Sequence, residues 1–315
     1  MKHTHYALAY YCIAKVEDPK KEVIDHKKYF KDRDIKGRIY ISKEGINGQV
    51  SATIEEAKEY ETWMREHPVF HDVKIKLHEL EEHIFDRLTV KEKKQLVAVD
   101  IPIDFSSVAE HITPERWREM LENKDENTLV IDVRNDYEGV IGHFEGAVIP
   151  PCKTFREFPD YIKELKKSYD PTKTKVMMYC TGGIRCEFFS PFMKQNGFEN
   201  LYQLDGGVIG YGLKEGQKHW KGKLFVFDDR LAIPISNEEA APISKCMLCD
   251  TDNDRYINCA NMDCNKLFIC CDSCIDTHNG CCSKECLEQG RVRDYNHEEY
   301  PKPFRRMAHD KKKEL

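Results

Sequence analysis

The stretch Lys175-Val176-Met177-Met178-Tyr179-Cys180-Thr181-Gly182-Gly183-Ile184-Arg185-Cys186-Glu187 decides the fold. Lys175–Tyr179 reads as a short buried strand, the glycine pair as a tight turn, and Ile184 onward as a helix reaching about Asn196. This order puts Cys180 at the carboxyl end of a parallel strand, where open α/β sheets bind ligands. Gly182 and Gly183 let successive backbone N–H groups face one point and form an anion nest. The helix N-terminus adds partial positive charge there, and Arg185 adds a full one. All three favour thiolate over thiol, so Cys180 is expected to be a low-pKa nucleophile, with Thr181, Gly182, Gly183 and Ile184 forming its anion loop. Cys186, about a turn and a half further on, is a candidate second thiol; an ordinary buried cysteine is the alternative.

Strand and helix signals alternate outward from this loop. Thr113 reads as an N-cap with Pro114 at the first helical position. Thr128–Val133 is a strand, 155–168 a helix, and Leu201–Leu204 a further strand. Such alternation predicts a parallel sheet with helices on both faces over residues 113–235. Residues 1–95 read as a separate small α/β unit. Strands at Tyr6–Ala14 and Gly37–Ser42 flank a helix at 19–32. A turn at Gly45–Gly48 leads into a strand at Gln49–Ala52. Thr53 with Glu56 forms a capping box for a helix at 54–66, and Val73–Leu77 is the last strand. The order βαββαβ predicts a ferredoxin-like sandwich. Residues 96–112 read as a linker, 245–290 as a cysteine-rich module, and 291–315 as a basic tail.

A chain of 315 residues exceeds one ordinary domain, and 40% hydrophobic residues suffice for more than one core. No run of eighteen apolar residues occurs, so no membrane span is expected. The N-terminus lacks the pattern of a secretory signal, which points to the cytoplasm. The net charge of −6 argues against a generally basic nucleic-acid binder, so any RNA contact must come from local patches. Fourteen cysteines in a reducing compartment suggest metal binding or catalysis before disulfides. Ten of them crowd into 246–286, in the pairs Cys246/Cys249, Cys259/Cys264, Cys271/Cys274 and Cys282/Cys286. Four short chelate pairs supply eight thiolates, enough for two structural Zn²⁺ ions. If pairs alternate, the first and third share one ion and the second and fourth the other. The alternative is a segment without metal.

Beyond these readings, several motifs carry a resemblance. Asp132-Val133-Arg134, Gly142–Ala147, Cys180–Arg185 and Leu204-Asp205-Gly206-Gly207 resemble the successive signatures of a rhodanese domain. With Arg38–Gly48 and Tyr256–Asn261 added, nearly the whole chain resembles the rhodanese-domain tRNA uridine hydroxylases. The resemblance implies oxygen-dependent conversion of the wobble uridine to 5-hydroxyuridine, with the tRNA anticodon region as partner, molecular oxygen as substrate, and Cys180 with Arg185 as catalytic residues. It also implies a cysteine that carries a persulfide. One departure is the run Phe188-Phe189-Ser190-Pro191 after Glu187, because a proline there removes a helix hydrogen bond.

Basic residues beside an aromatic suit unpaired bases, which makes Arg38, Tyr40 and Lys43 candidate RNA contacts. An ordinary solvated surface is the bland alternative. No Gly-x-Gly-x-x-Gly points to a flavin or nicotinamide, and the 13 histidines show no evident two-histidine, one-carboxylate iron site. The competing functions are a persulfide sulfurtransferase and a non-enzymatic zinc or RNA scaffold. The activated loop argues against the scaffold, and the first domain argues against a simple sulfurtransferase.

Overall fold

The computed structural model describes residues 3–228 and 230–294; the basic tail at Arg305, Arg306 and Lys311–Lys313 lies outside them. Two compact units emerge. One joins the chain up to Asp136 with Gly146–Glu215, and the other joins Tyr137–Glu145 with residues from Gly216 onward.

The first unit opens with β1 (His5–Ile13), α1 (Pro19–Tyr29), β2 (Ile35–Ser42), β3 (Gly45–Thr53), α2 (Ile54–Arg65), β4 (Lys74–Leu80) and β5 (Leu88–Glu92). The sheet order is β4-β1-β3-β2-β5, with β1 to β4 antiparallel to their neighbours in the ferredoxin-like arrangement and β5 added parallel to β2. Asp18 caps α1 through the Lys20 and Lys21 amides, both at 3.0 Å. Thr53 caps α2 through the Glu56 amide at 3.3 Å, and Glu56 reaches back to the Thr53 hydroxyl.

The expected turn at Gly45–Gly48 is strand. Ser42 pairs with Gly45, so the hairpin closes through Lys43-Glu44 instead. Gly48 has a packing reason to be glycine, because a Cβ there would stand 2.2 Å from the Tyr10 ring. Alternation sorts the sheet into two faces. Leu8, Tyr10, Ile39, Ile41, Ile46 and Val50 pack with Ala57, Tyr60 and Met64 of α2. On the opposite face, register aligns Lys74, Tyr11, Asn47, Tyr40 and Lys91 in one row, and Lys76, Ala9, Gln49, Arg38 and Thr89 in the next.

The stretch 96–112, read as a linker, ends in β6 (Glu110–Ile112), the edge strand of the second sheet. Then follow α3 (Pro114–Glu122), capped by Thr113, and β7 (Thr128–Asp132). The next elements, α4 (Asp136–Ile141) and β8 (Gly142–Phe144), fall almost wholly in the second unit. The first unit resumes with α5 (Phe158–Ser168), β9 (Lys175–Tyr179), α6 (Ile184–Gln195), β10 (Asn200–Leu204) and α7 (Gly207–Glu215). This sheet runs β6-β10-β9-β7 and is parallel throughout. Val176 and Met178 face the core shared with Phe158, Ile162 and Phe189, whereas Tyr179 meets Trp117 of α3 edge-on. Pro191 sits inside α6, and the helix continues past it to Gln195.

The second unit holds β11 (Trp220–Gly222), paired with β8, and the short ribbons β12 (Leu224–Phe225) with β13 (Ala232–Ile233) and β14 (Tyr256–Asn258) with β15 (Leu267–Ile269). It ends in α8 (Asp272–Thr277) and α9 (Lys284–Glu288). Among the described residues, no helix is long and apolar enough to cross a membrane.

Candidate active site

Cys180 is fully buried where β9 ends, and its sulfur accepts the Gly183 amide at 3.1 Å. Gly183 precedes α6 at φ 109°, a conformation that L side chains rarely adopt, so the loop depends on glycine there. Burial by itself would raise the thiol pKa. The Cys186 hydrogen bond, the Arg185 charge and the Gly183 and Arg185 amides outweigh it and hold Cys180 down to about 5. Burial and the neighbouring Cys180 sulfur push Cys186 far up, so it stays a thiol and donor. The Arg185 guanidinium also donates to the Thr181 hydroxyl at 3.1 Å. Ile184 is the first residue of α6 and packs on the core below.

The start of α7 braces the loop. Val208 and Ile209 amides donate to the Cys180 and Thr181 carbonyls at 3.0 and 3.1 Å. Gly207, at φ 63°, permits this approach; a Cβ there would lie 2.6 Å from the Cys180 oxygen. Asp132 and Arg134 form a fully buried bidentate pair, with Arg134 over the Tyr179 ring.

Tyr11 and Lys76 of the first sheet, and His111 and Gln203 of the second, add side chains around the loop and Glu187 that were not among the candidates from sequence. Lys76 donates to the Gly182 carbonyl at 2.6 Å, and the Tyr11 hydroxyl donates to Glu187 Oε1 at 2.9 Å. His111 Nε2 meets the same oxygen at 2.8 Å, and Gln203 approaches Oε2 at 3.3 Å. The hydrogen bond to Glu187 raises the His111 pKa. Burial lowers that of Lys76 to about 8, against the pull of Cys180 and Asp205. Beside these groups lies a cavity of about 410 Å³, lined by Tyr11, Lys76, Phe105, His111, Glu187 and Asp205 among others. A sequence signal did exist for Glu187, as part of the loop motif. None existed for Tyr11 or Lys76, since cross-strand register alone aims them at the loop.

Arg38 and Tyr40 share the helix-free face with Tyr11 and Lys76, while Lys43 is exposed at the β2–β3 hairpin. Arg38 lies over Phe85 and Lys93 over Tyr40, at 5.8 and 4.8 Å. The structure also assembles His5, Asp34 and His83, three residues far apart in sequence that can hold a metal ion, where sequence reading saw no such group. It lies at the start of β1, six residues from Tyr11 and roughly 20 Å along the strand, and so apart from the thiol.

In the second unit, Cys246, Cys249, Cys271 and Cys274 converge, as do Cys259, Cys264, Cys282 and Cys286, each set with its sulfurs within 4.8 Å of one another. Sulfur separations of 3.5 Å (Cys249–Cys271) and 3.7 Å (Cys264–Cys282 and Cys282–Cys286) are close to the roughly 3.8 Å edge of a tetrahedron with 2.3 Å metal–sulfur bonds. These clusters can hold metal ions. Cys270 and Cys281 are buried beside them in the small core with Ile257 and Phe268.

Comparison with known proteins gives three matches along the chain. Residues 5–96 match the UPF0176 acylphosphatase like domain, 113–213 the Rhodanese-like domain, and 221–287 Rhodanase C-terminal. The tRNA uridine(34) hydroxylase of Chlamydia trachomatis serovar D is 54% identical over 97% of this chain and 94% of its own. The protein of that name from Protochlamydia amoebophila is 50% identical over 98% and 97%, and that from Chlamydia caviae 52% over 98% and 93%. With half or more of its residues shared over nearly its whole length, the chain belongs to the tRNA uridine(34) hydroxylase family.

Proposed function

We propose that this protein hydroxylates the wobble uridine of tRNA to 5-hydroxyuridine, with Cys180 as its catalytic thiolate and Arg185 as the cation that keeps it ionised. The observation that carries the reading is the buried Cys180 sulfur, held as a thiolate by the Gly183 amide and its neighbours, in a loop whose Gly182 carbonyl is bound by Lys76, a residue that lines a ligand-sized cavity. The name borne by relatives of near-identical length supplies the substrate. Overall, one atom of O₂ replaces the C5 hydrogen as a hydroxyl group. The other leaves as water, taking two electrons and two protons from a thiol-class reductant. Cys186 is the neighbouring thiol that donates to Cys180 and stabilises its charge.

The substrate is the anticodon region, where unpaired bases are accessible to stacking and edge contacts. Arg38, Tyr40 and Lys43 engage the flanking backbone and bases. The two cysteine clusters hold structural Zn²⁺, which supplies folding energy to a module with a thin apolar core. The protein works in the cytoplasm, where tRNA is modified.

Nucleoside mass spectrometry of tRNA tests the reading, using cells lacking the gene and complemented with wild type or Cys180→Ala. Loss of 5-hydroxyuridine derivatives, restored by wild type alone, is expected. A fall in a thiolated nucleoside with hydroxylation unchanged would instead identify a sulfurtransferase.

A further inference from the structure

The cavity lined by Lys76, whose ammonium reaches the Gly182 carbonyl of the Cys180 loop, has a polar side whose donors and acceptors are fixed by their own partners. Glu187 is nearly buried, and its carboxylate is held in place by Tyr11, His111 and Gln203. Two donors converge on Oε1, whereas Oε2 receives only the longer Gln203 contact at 3.3 Å, which leaves it acceptor capacity. Lys76 carries three donors and spends one on the Gly182 carbonyl, so its ammonium retains donors while tied to the rim of the thiolate loop. Phe105, edge-on to Phe188, and Val108 supply apolar lining. The volume of about 410 Å³ lies in the roughly 300–1,000 Å³ range of small-ligand sites.

A carboxylate acceptor beside an ammonium donor, with apolar walls, complements one nucleobase edge in particular. Uracil presents N3–H as a donor between the acceptors O2 and O4. Cytosine presents a bare lone pair at N3 and an amino group at C4, so a carboxylate opposite N3 would face it with like charge density. We propose that this cavity takes the uracil base of the substrate nucleotide, with Glu187 accepting from N3–H and Lys76 donating to a ring carbonyl. The proposal deepens the hydroxylase reading and rests on it for the presence of RNA. The base enters unstacked from a loop, as enzymes acting on single bases require. Glu187 therefore selects uracil over cytosine, and Lys76 ties the bound base to the loop that carries Cys180. Tyr11 and His111 are positioning residues that hold Glu187.

The test uses the full-length protein and a short anticodon stem-loop RNA with uridine, cytidine or an abasic ribose at the target position. Fluorescence anisotropy reads affinity, and mass spectrometry of the same RNAs, after incubation with the protein in air-saturated buffer containing a thiol reductant, reads hydroxylation. Wild type is expected to prefer the uridine RNA over the other two. Glu187→Gln and Phe105→Trp, the second of which narrows the cavity without touching Glu187, are each expected to cut the uridine-to-abasic affinity ratio by about tenfold. Binding of the abasic RNA should stay unchanged. Wild type that binds all three RNAs alike, or folded variants that both keep the wild-type ratio, overturns the pocket. If one variant fails to fold, the other decides. Uridine preference without any oxidation product would refute the hydroxylase reading and leave the pocket standing.

Discussion

In the proposed reading the chemistry depends on the thiolate at Cys180, which its surroundings hold ionised at neutral pH. A pKa lowered from the ordinary 9.0 to about 5 leaves roughly 99% of the sulfur ionised at pH 7. Absorbance at 240 nm, taken as wild type minus Cys180→Ser across pH 4–10, should rise with a midpoint near 5. The subtraction cancels the other thirteen cysteines. Because Arg185 and Cys186 both hold the charge, Arg185→Met and Cys186→Ala should each raise the midpoint by about one unit or more. The sign carries into stability. The folded state keeps the proton off where the unfolded chain still binds it, so this group stabilises increasingly as pH rises from 5 towards 9. The advantage is lost as pH falls through 5. Between pH 6 and 8 the gain of wild type over Cys180→Ser is about 3 kcal/mol, at 1.36 kcal/mol per unit. A midpoint near 9, with identical pH dependence in the two proteins, would refute the account of the loop.

Further outcomes follow from other sites. Gly207→Ala brings a Cβ to 2.6 Å from the Cys180 carbonyl in a left-handed backbone, so it should lower stability by about 1–3 kcal/mol and raise the Cys180 midpoint; calorimetry with the same absorbance titration reads both, and an unaltered midpoint counts against the bracing role. His26 is buried with its pKa lowered to about 4 from 6.5, chiefly by burial, so it favours the folded state above pH 6.5 and progressively less as pH falls towards 4. The span is about 3 kcal/mol, and His26→Gln should flatten that part of the pH–stability curve measured by urea unfolding, while an unchanged curve would reject it. Elemental analysis should find two zinc ions per chain, with Cys249→Ser or Cys264→Ser each removing one; a metal-free wild type purified without chelator would exclude the zinc reading. Glu187→Gln should lower the His111 pKa in NMR titration, because the hydrogen bond to the Glu187 carboxylate is the main cause that raises it; an unmoved midpoint would reject that cause.

The sequence by itself determined whatever is local in the chain. Caps at Thr53 and Thr113, the strand–glycine loop–helix around Cys180, and the four cysteine pairs each depend on residues a few positions apart, and each stands in the structure at those positions. The anion loop was legible because nest, helix terminus and Arg185 all lie within six residues. Short or non-local features were not legible. β6 is three residues long, too short for periodicity to register, and the hairpin at Lys43-Glu44 was hidden by the glycines that follow it. Tertiary structure alone decided that Tyr11 and Lys76 meet Gly183 and Gly182, more than one hundred residues away. It likewise decided that His111 and Tyr11 share one Glu187 oxygen and that His5, Asp34 and His83 converge. The physical reason is register. A one-residue slip in β1 or β4 would turn Tyr11 and Lys76 to the helix-covered side, and only the packing of Tyr10, Leu8 and Ile75 on that side fixes which way they point.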